Sequence, residues 1–256
     1  NDTVQKLSEY KLLERVVREQ CKVTGTGVNA TVEIKKPKEV SSDSLQNPSD
    51  PDAGYDSHKG KGYQAQIMET YHDNKQHDRK PDLITYVEVE PAHKHDANAL
   101  QPAIDSTRER NCCPEELTCD TLYGGDENVQ QAEGKGVEVI APLKGPAPSH
   151  EISLSDFEID DKTHFVTECP EGHEPDNVCR TRTNRIRARF NIKSCCDCPL
   201  LKHCPVKLSK KAAFLRYDDK ILRLAQRRVH EQTYEFKDKF RWRSGVEGTN
   251  SHLKSD

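Results

Sequence analysis

The sequence predicts a mixed α/β fold, because segments with helix and strand periodicity alternate along the chain. Helical spacing over residues 4–21 is marked by four apolar side chains, Leu7, Tyr10, Leu13 and Val17. Strand alternation over residues 62–71 places four side chains on one face, Tyr63, Ala65, Ile67 and Glu69. Residues 82–89 have a β-branched and aromatic centre, and the polar segment before them predicts a hairpin.

Further elements follow the hairpin. Asp96 leads a predicted helix over residues 97–110, and short strands are predicted at residues 117–119 and 136–142 with a helical segment between them. Residues 28–56 are rich in Ser, Asp, Asn and Pro without a period, which predicts a poorly ordered loop. Four segments are therefore expected: an N-terminal helix and polar linker (1–50), an α/β core (51–160), a Cys-rich insertion (161–208) and basic C-terminal helices (209–256).

Composition restricts the class of protein. Of 256 residues, 33% are hydrophobic and 32% charged, so we expect a modest core. No apolar run approaches the roughly 20 residues of a membrane span, no signal peptide is visible, and a cytoplasmic, bacterial location is expected. The charge is uneven, since residues 176–256 hold 20 Lys and Arg against 9 Asp and Glu, whereas residues 1–175 hold 19 against 34. A basic C-terminal part favours a polyanionic partner.

The last residues carry a candidate site. Phe240, Arg243, Glu247 and Lys254 are separated by three, four and seven positions, which puts them on one face of a helix. A carboxylate held between two cations can be positioned near a phosphodiester and its metal ions. The alternative is an ordinary solvated face with weak ion pairs.

Asp120 is the second candidate, because it follows the short strand at residues 117–119 and precedes a Gly-Gly turn. Ligands of sheets with helical crossovers gather beyond the carboxyl ends of the strands, so an acid placed there is suited to hold a metal ion. A simple turn Asp is the alternative.

These motifs resemble those of bacterial insertion-sequence transposases of the DDE type, whose C-terminal signature is tyrosine, arginine, glutamate and lysine. Phe240 stands where that family has tyrosine. The resemblance implies a ribonuclease H-like mixed sheet with flanking helices, with Asp120 as the second catalytic acid, followed by Tyr123 and Gly124, and Glu247 as the third. It also implies Mg²⁺ or Mn²⁺ at Asp120 and Glu247, with positioning or phosphate contacts from Arg243, Lys254 and Tyr123.

The implied activity is DNA strand cleavage and strand transfer on double-stranded DNA, at transposon ends and target, and a homodimer is the expected assembly. The family's first aspartate lies on a strand that precedes the first helix, and no such strand is found before residue 4. We therefore expect a C-terminal portion of a longer product, inactive by itself. One alternative is a catalytically dead remnant that binds DNA or zinc, and another is a zinc-binding interaction protein unrelated to transposition.

Six of the ten cysteines fall between residues 169 and 204. The preferred ligands of a structural zinc ion are Cys169, Cys195, Cys198 and Cys204, and His173 or Cys196 could replace one of them. The transposase family often carries such an insertion before its final helix, which agrees with this prediction. The alternative is a set of free or disulfide-paired thiols.

Basic residues continue through and beyond the insertion. Alternation on a strand places Arg185, Arg187 and Arg189 on one face. Further basic residues, predicted to lie on the following helix, would extend a track for the DNA backbone: Lys210, Lys211, Arg216, Lys220, Arg223, Arg227 and Arg228.

Overall fold

The structure is a computed structural model that describes residues 2–72, 81–145 and 150–255, with the side chains of Asp2, Lys254 and Ser255 left out. The chain divides into two compact units, residues 1–113 and residues 114–256. All the predicted site residues lie in the second unit.

The first unit begins with helices and a small hairpin. Helices α1 (Asp2–Gln5) and α2 (Ser8–Gln20) cover the predicted helix, with a break between them. Strands β1 (Cys21–Thr24) and β2 (Thr31–Ile34) then pair in antiparallel fashion, so that Cys21 lies opposite Ile34.

The prediction of a poorly ordered loop over residues 28–56 is wrong. Besides β2, the segment contains Leu45, which is buried and whose backbone N–H donates to Glu19 at 2.7 Å. In the β1–β2 connection, Gly25 and Gly27 have φ values of +84° and +60°, a conformation that glycine adopts without strain. Strands of four residues are too short to show clear periodicity in the sequence, so the hairpin was missed.

The predicted hairpin is present. Strands β3 (Gly54–Asp56), β4 (Gly60–Glu69) and β5 (Ile84–Pro91) form an antiparallel sheet in that order, although the middle of the β4–β5 connection lies outside the described residues. A 3₁₀ turn (Asp96–Ala99) leads into helix α3 (Leu100–Glu109), which matches the predicted helix at residues 97–110 and buries Leu100, Ala103 and Ile104.

The second unit opens with a parallel strand pair. Strand β6 (Glu116–Thr118) is followed by helix α4 (Asp126–Gly134) and strand β7 (Glu138–Ile140), and β6 pairs with β7 in parallel. This is the predicted arrangement of a strand, a turn, a helix and a strand. The described residues do not confirm the ribonuclease H-like fold, because β6 and β7 form a sheet of two strands there.

A four-stranded antiparallel sheet occupies the Cys-rich region. The short pair β8 (Glu158–Ile159) and β9 (Val166–Glu168) precedes it. The strands of the four-stranded sheet lie in the order β10 (Asn177–Arg180), β11 (Ile186–Phe190), β13 (Ala213–Tyr217) and β12 (Lys207–Leu208). In the sequence, the short helix α5 (Ile192–Cys196) lies between β11 and β12. The core of this unit lies on one face of the sheet and includes Ile186, Phe190, Leu215 and Tyr217.

Three helices end the chain. They are α6 (Asp219–His230), α7 (Tyr234–Phe240) and α8 (Gly245–Ser255), with a 3₁₀ turn (Arg241–Ser244) between α7 and α8. The motif from Phe240 to Lys254 therefore does not lie on one continuous helix. Lys210, Lys211 and Arg216 are not helical either, because Arg216 is on β13 and the two lysines precede that strand; the prediction of a helix there is wrong.

Candidate functional site

Asp120 lies just beyond the carboxyl end of β6, as its position in the sequence predicts. Its Oδ1 accepts a hydrogen bond from the backbone N–H of Thr121 at 2.8 Å, and the Tyr123 N–H donates to its carbonyl at 3.0 Å. These two bonds fix a tight turn that leaves the carboxylate half exposed, at 48%. Burial raises the pKa of the preceding Cys119 thiol to about 12, with the Asp120 charge as a second cause.

Arg243 brings the two predicted acids together. Its guanidinium donates to Glu247 Oε1 at 2.5 Å, one helical turn away, and to Asp120 Oδ2 at 3.3 Å. The side chains of Asp120, Arg243 and Glu247 are 48%, 34% and 63% exposed. The site is therefore an open cluster in which one cation lies between two carboxylates that are 127 positions apart in the sequence.

Helix α6 is held against α4 and the β6–β7 edge by two arginines. The Arg223 guanidinium binds both carboxylate oxygens of Asp126, at 3.1 and 2.7 Å, and Asp126 is only 8% exposed. Arg227 donates to the carbonyls of Gly124 and Ala141 at 2.9 and 3.3 Å, and burial lowers its pKa. Both arginines therefore have partners within the protein, and their predicted contact with a DNA backbone stays a prediction.

Gly124 is needed where the turn that begins at Asp120 meets the end of β7. A Cβ added there would lie 2.9 Å from the Ala141 Cβ and 2.9 Å from the Pro142 carbonyl oxygen. Only glycine permits such a close approach, which places the Asp120 turn against the next strand.

Lys239 fixes helix α7 to the same strand pair. Its ammonium lies 2.6 Å from Glu116 and 3.3 Å from Glu138, and these two acids are directly opposite each other across β6 and β7. The Glu116 hydrogen bond is the main cause that raises the pKa of Lys239. Sequence reasoning missed this contact, although two acids at matching strand positions signal a need for a cation.

The remaining motif residues are placed as follows. Phe240 stacks on Phe236 at 5.7 Å between ring centroids, so the two rings pack against each other on helix α7. Tyr123 is half-buried, and its carbonyl accepts from the Asn128 amide at 3.4 Å. The Lys254 side chain lies outside the described part of the structure.

The four predicted zinc ligands are drawn into one region. Burial raises the pKa of the Cys195 thiol to about 11, and the thiols of Cys169, Cys204 and Cys198 contribute in that order. Cys169 accepts a hydrogen bond from the backbone N–H of His173 at 3.4 Å, and its Sγ lies 3.6 Å from the His173 Nδ1. Across the described ranges, no three His, Cys, Asp or Glu side chains are grouped as a metal site, so zinc is not confirmed.

The C-terminal part of the chain is similar to a known protein family. The last 89 residues, 168–256, match the family model described as a transposase DDE domain. The match supports a DDE-type transposase. It includes the Cys-rich sheet, Arg243 and Glu247, whereas Asp120 lies before it. Neither the curated proteins nor the solved structures give a significant match.

None of the described helices is both long enough and apolar enough to cross a bilayer.

Proposed function

We propose that this chain contributes two acids, Asp120 and Glu247, to the catalytic site of an insertion-sequence transposase that cleaves and joins DNA strands. The observation that carries the proposal is the Arg243 guanidinium, which contacts both carboxylates, at 3.3 and 2.5 Å. The transposase DDE domain match over residues 168–256 supports it independently.

The residues present fit a divalent cation. Two carboxylates against one guanidinium leave a net charge of about −1, and carboxylate oxygens are the ligands that Mg²⁺ and Mn²⁺ prefer. Asp120 and Glu247 would hold the metal, whose chemistry is activation of the attacking hydroxyl and stabilisation of the leaving oxygen. Arg243 neutralises part of the charge of the two acids while no metal is bound, and Arg243, Lys254 and Tyr123 would then position the DNA phosphate.

Linked binding of metal and DNA tests this function. The probe is Mn²⁺, titrated into the full chain with and without a short DNA duplex, and free Mn²⁺ is measured by electron paramagnetic resonance. We expect the duplex to raise the Mn²⁺ affinity, because phosphate oxygens add ligands, and Mn²⁺ to raise the DNA affinity by the same factor. Mn²⁺ affinity that is the same with and without DNA would overturn the proposal.

The 256-residue chain is expected to nick supercoiled DNA at no more than the background rate. Asp120 and Glu247 are the two acids that the described residues bring to Arg243, and two carboxylates hold a pair of metal ions poorly. Agarose gels with Mg²⁺ or Mn²⁺ measure the nicking. Cleavage by the wild-type chain that disappears in Asp120→Ala would contradict this prediction.

The second candidate is a remnant that binds DNA without catalysis. It is favoured by the observation that, within residues 2–72, 81–145 and 150–255, no third acid joins Asp120 and Glu247 in a metal-binding group. In the same titration, a remnant would bind the duplex but show no Mn²⁺ linkage.

A structural zinc ion at Cys169, Cys195, Cys198 and Cys204 remains a proposal. Its support is that the four thiols lie close enough to influence one another's pKa. The side chains would have to rotate towards one another to complete a set of ligands. We expect one zinc per purified chain, and we expect chelation to lower the melting temperature of the second unit. Cys198→Ser should lose the zinc, whereas the exposed Cys112→Ser should keep it. Zinc-free protein from zinc-supplemented growth would contradict the proposal.

A further inference from the structure

The outer face of the four-stranded sheet carries a row of basic side chains around one aromatic ring. The burial of β11 alternates strictly, with Ile186, Ala188 and Phe190 buried and the two arginines between them exposed. On β13, Ala213, Leu215 and Tyr217 are likewise buried, which leaves Phe214 and Arg216 on the outer side. We call this outer surface the arginine face; its members are Arg187, Arg189, Lys207, Phe214 and Arg216.

Strand register brings these side chains together. Arg187 lies opposite Arg216, and Phe214 lies opposite Arg189 on one side and Lys207 on the other. The guanidinium carbons of Arg187 and Arg216 lie 5.8 and 5.1 Å from the centre of the Phe214 ring. Both arginines are therefore held over or beside one aromatic ring, by the attraction between a cation and its π-electrons.

The basic side chains of this face repel one another, and a bound polyanion would relieve that repulsion. Like charges directly opposite each other on neighbouring strands are destabilising, and Arg187 and Arg216 form such a pair. The core does not require them, because their strands bury the alternate residues. Asp176, whose carboxylate lies 3.8 Å from Arg189, offsets only part of the charge of the four basic residues on this face.

We propose that the arginine face binds single-stranded DNA, with phosphates on the arginines and Lys207 and unpaired bases stacked on the Phe214–arginine cluster. Charge complementarity selects a polyanion, and planar guanidinium groups around an aromatic ring suit base stacking as well as phosphate contact. The choice of DNA as the polyanion rests on the proposed function. The surface itself uses none of Asp120, Arg243 and Glu247.

The test measures binding of a fluorescent 20-nucleotide single strand, and of the matching duplex, by anisotropy in buffer without added Mg²⁺ or Mn²⁺. Arg187→Gln combined with Arg216→Gln should weaken single-strand binding by about tenfold or more, and reduce the salt slope by about 1.4. Phe214→Leu should weaken single-strand binding about fivefold or more, with a smaller effect on the duplex, because stacking requires unpaired bases.

The matched control is Lys193→Gln combined with Lys202→Gln, which removes the same charge from exposed positions outside the arginine face. It should bind DNA nearly as the wild type does. Equal losses in the control and the arginine variant, or unchanged single-strand binding by Phe214→Leu, would overturn the proposal. Lys207→Gln provides a variant on an exposed short strand in case the double variant unfolds, and its salt slope should fall by about 0.7.

Failure of this proposal is distinguishable from failure of the metal-dependent function. No Mg²⁺ or Mn²⁺ is added to the measurement, so single-strand binding does not depend on the proposed metal site of Asp120 and Glu247. If the arginine face fails, the linkage between Mn²⁺ and duplex DNA is still expected.

Discussion

Mn²⁺ binding is expected to weaken by at least about tenfold when Glu247 is replaced by Gln or Asp120 by Asn. Each substitution keeps the shape of the side chain and removes one of the two negative charges that converge on Arg243. Substitution of residues that only hydrogen-bond to metal ligands lowers metal affinity by about 10- to 100-fold. Loss of the charge of a ligand itself should therefore lower the affinity at least as much. Electron paramagnetic resonance of free Mn²⁺ measures the affinity directly.

Glu235→Gln is the matched control for this prediction. Glu235 is an exposed acid on the preceding helix that lies 3.6 Å from Lys239 and does not contact Arg243. Its substitution removes the same charge, and Mn²⁺ affinity should stay within about twofold of the wild type. Equal affinity in Glu247→Gln, Asp120→Asn and the wild type would exclude these acids as ligands.

Arg243→Gln tests whether Arg243 competes with the metal ion for the carboxylates of Asp120 and Glu247 or holds these carboxylates in place for it. Since the guanidinium neutralises the carboxylates that a metal needs, its removal should raise Mn²⁺ affinity. An exposed ion pair is worth roughly 0.2–1 kcal/mol, which corresponds to about 1.5- to 5-fold. If Arg243 only maintained the structure, its loss would lower the affinity instead.

Asp126→Asn is expected to destabilise the second unit by about 2–3 kcal/mol. Asp126 is 8% exposed and accepts two hydrogen bonds from Arg223, which is 33% exposed. Removing one partner of a buried ion pair costs about 3–5 kcal/mol, and the partial exposure of Arg223 reduces that value. Asp126 also begins helix α4, where a negative charge is favourable. Urea unfolding followed by circular dichroism at pH 7 measures the change.

Asp238→Asn provides the comparison for the stability measurement. Asp238 pairs with Arg241 at 3.1 Å on the helix surface, with side chains 33% and 49% exposed. Its loss should change the free energy of unfolding by less than about 0.5 kcal/mol. An equally small effect of Asp126→Asn would show that the Arg223 contact does not hold α6 in place.

Local patterns allowed parts of the site to be predicted. The four-residue spacing of Arg243 and Glu247 corresponds to a real ion pair, because such neighbours face each other on helical turns. The position of Asp120 after a strand was also predicted from the sequence. Its contact with Arg243 spans 123 positions, and only the resemblance to transposases brought the two acids together in advance.

Other features could not be predicted because they depend on tertiary contacts. Arg223 and Arg227 look like surface residues of a basic helix, and only the docking of α6 reveals their partners Asp126 and Gly124. The local sequence predicts a helix at Arg216, because strand β13 has only five residues and lies between two lysines and helix α6. Its strand register with Arg187, which creates the arginine face, is a property of the sheet and not of the local sequence.

The most direct measurement is a crystal structure of the chain soaked in Mn²⁺, with the metal located by its anomalous scattering. The account predicts a peak about 2.1–2.2 Å from one carboxylate oxygen of Asp120 and one of Glu247, with the Arg243 guanidinium moved away from both. Peaks elsewhere at saturating Mn²⁺, with Arg243 still bridging the two acids, would contradict the assignment of this site.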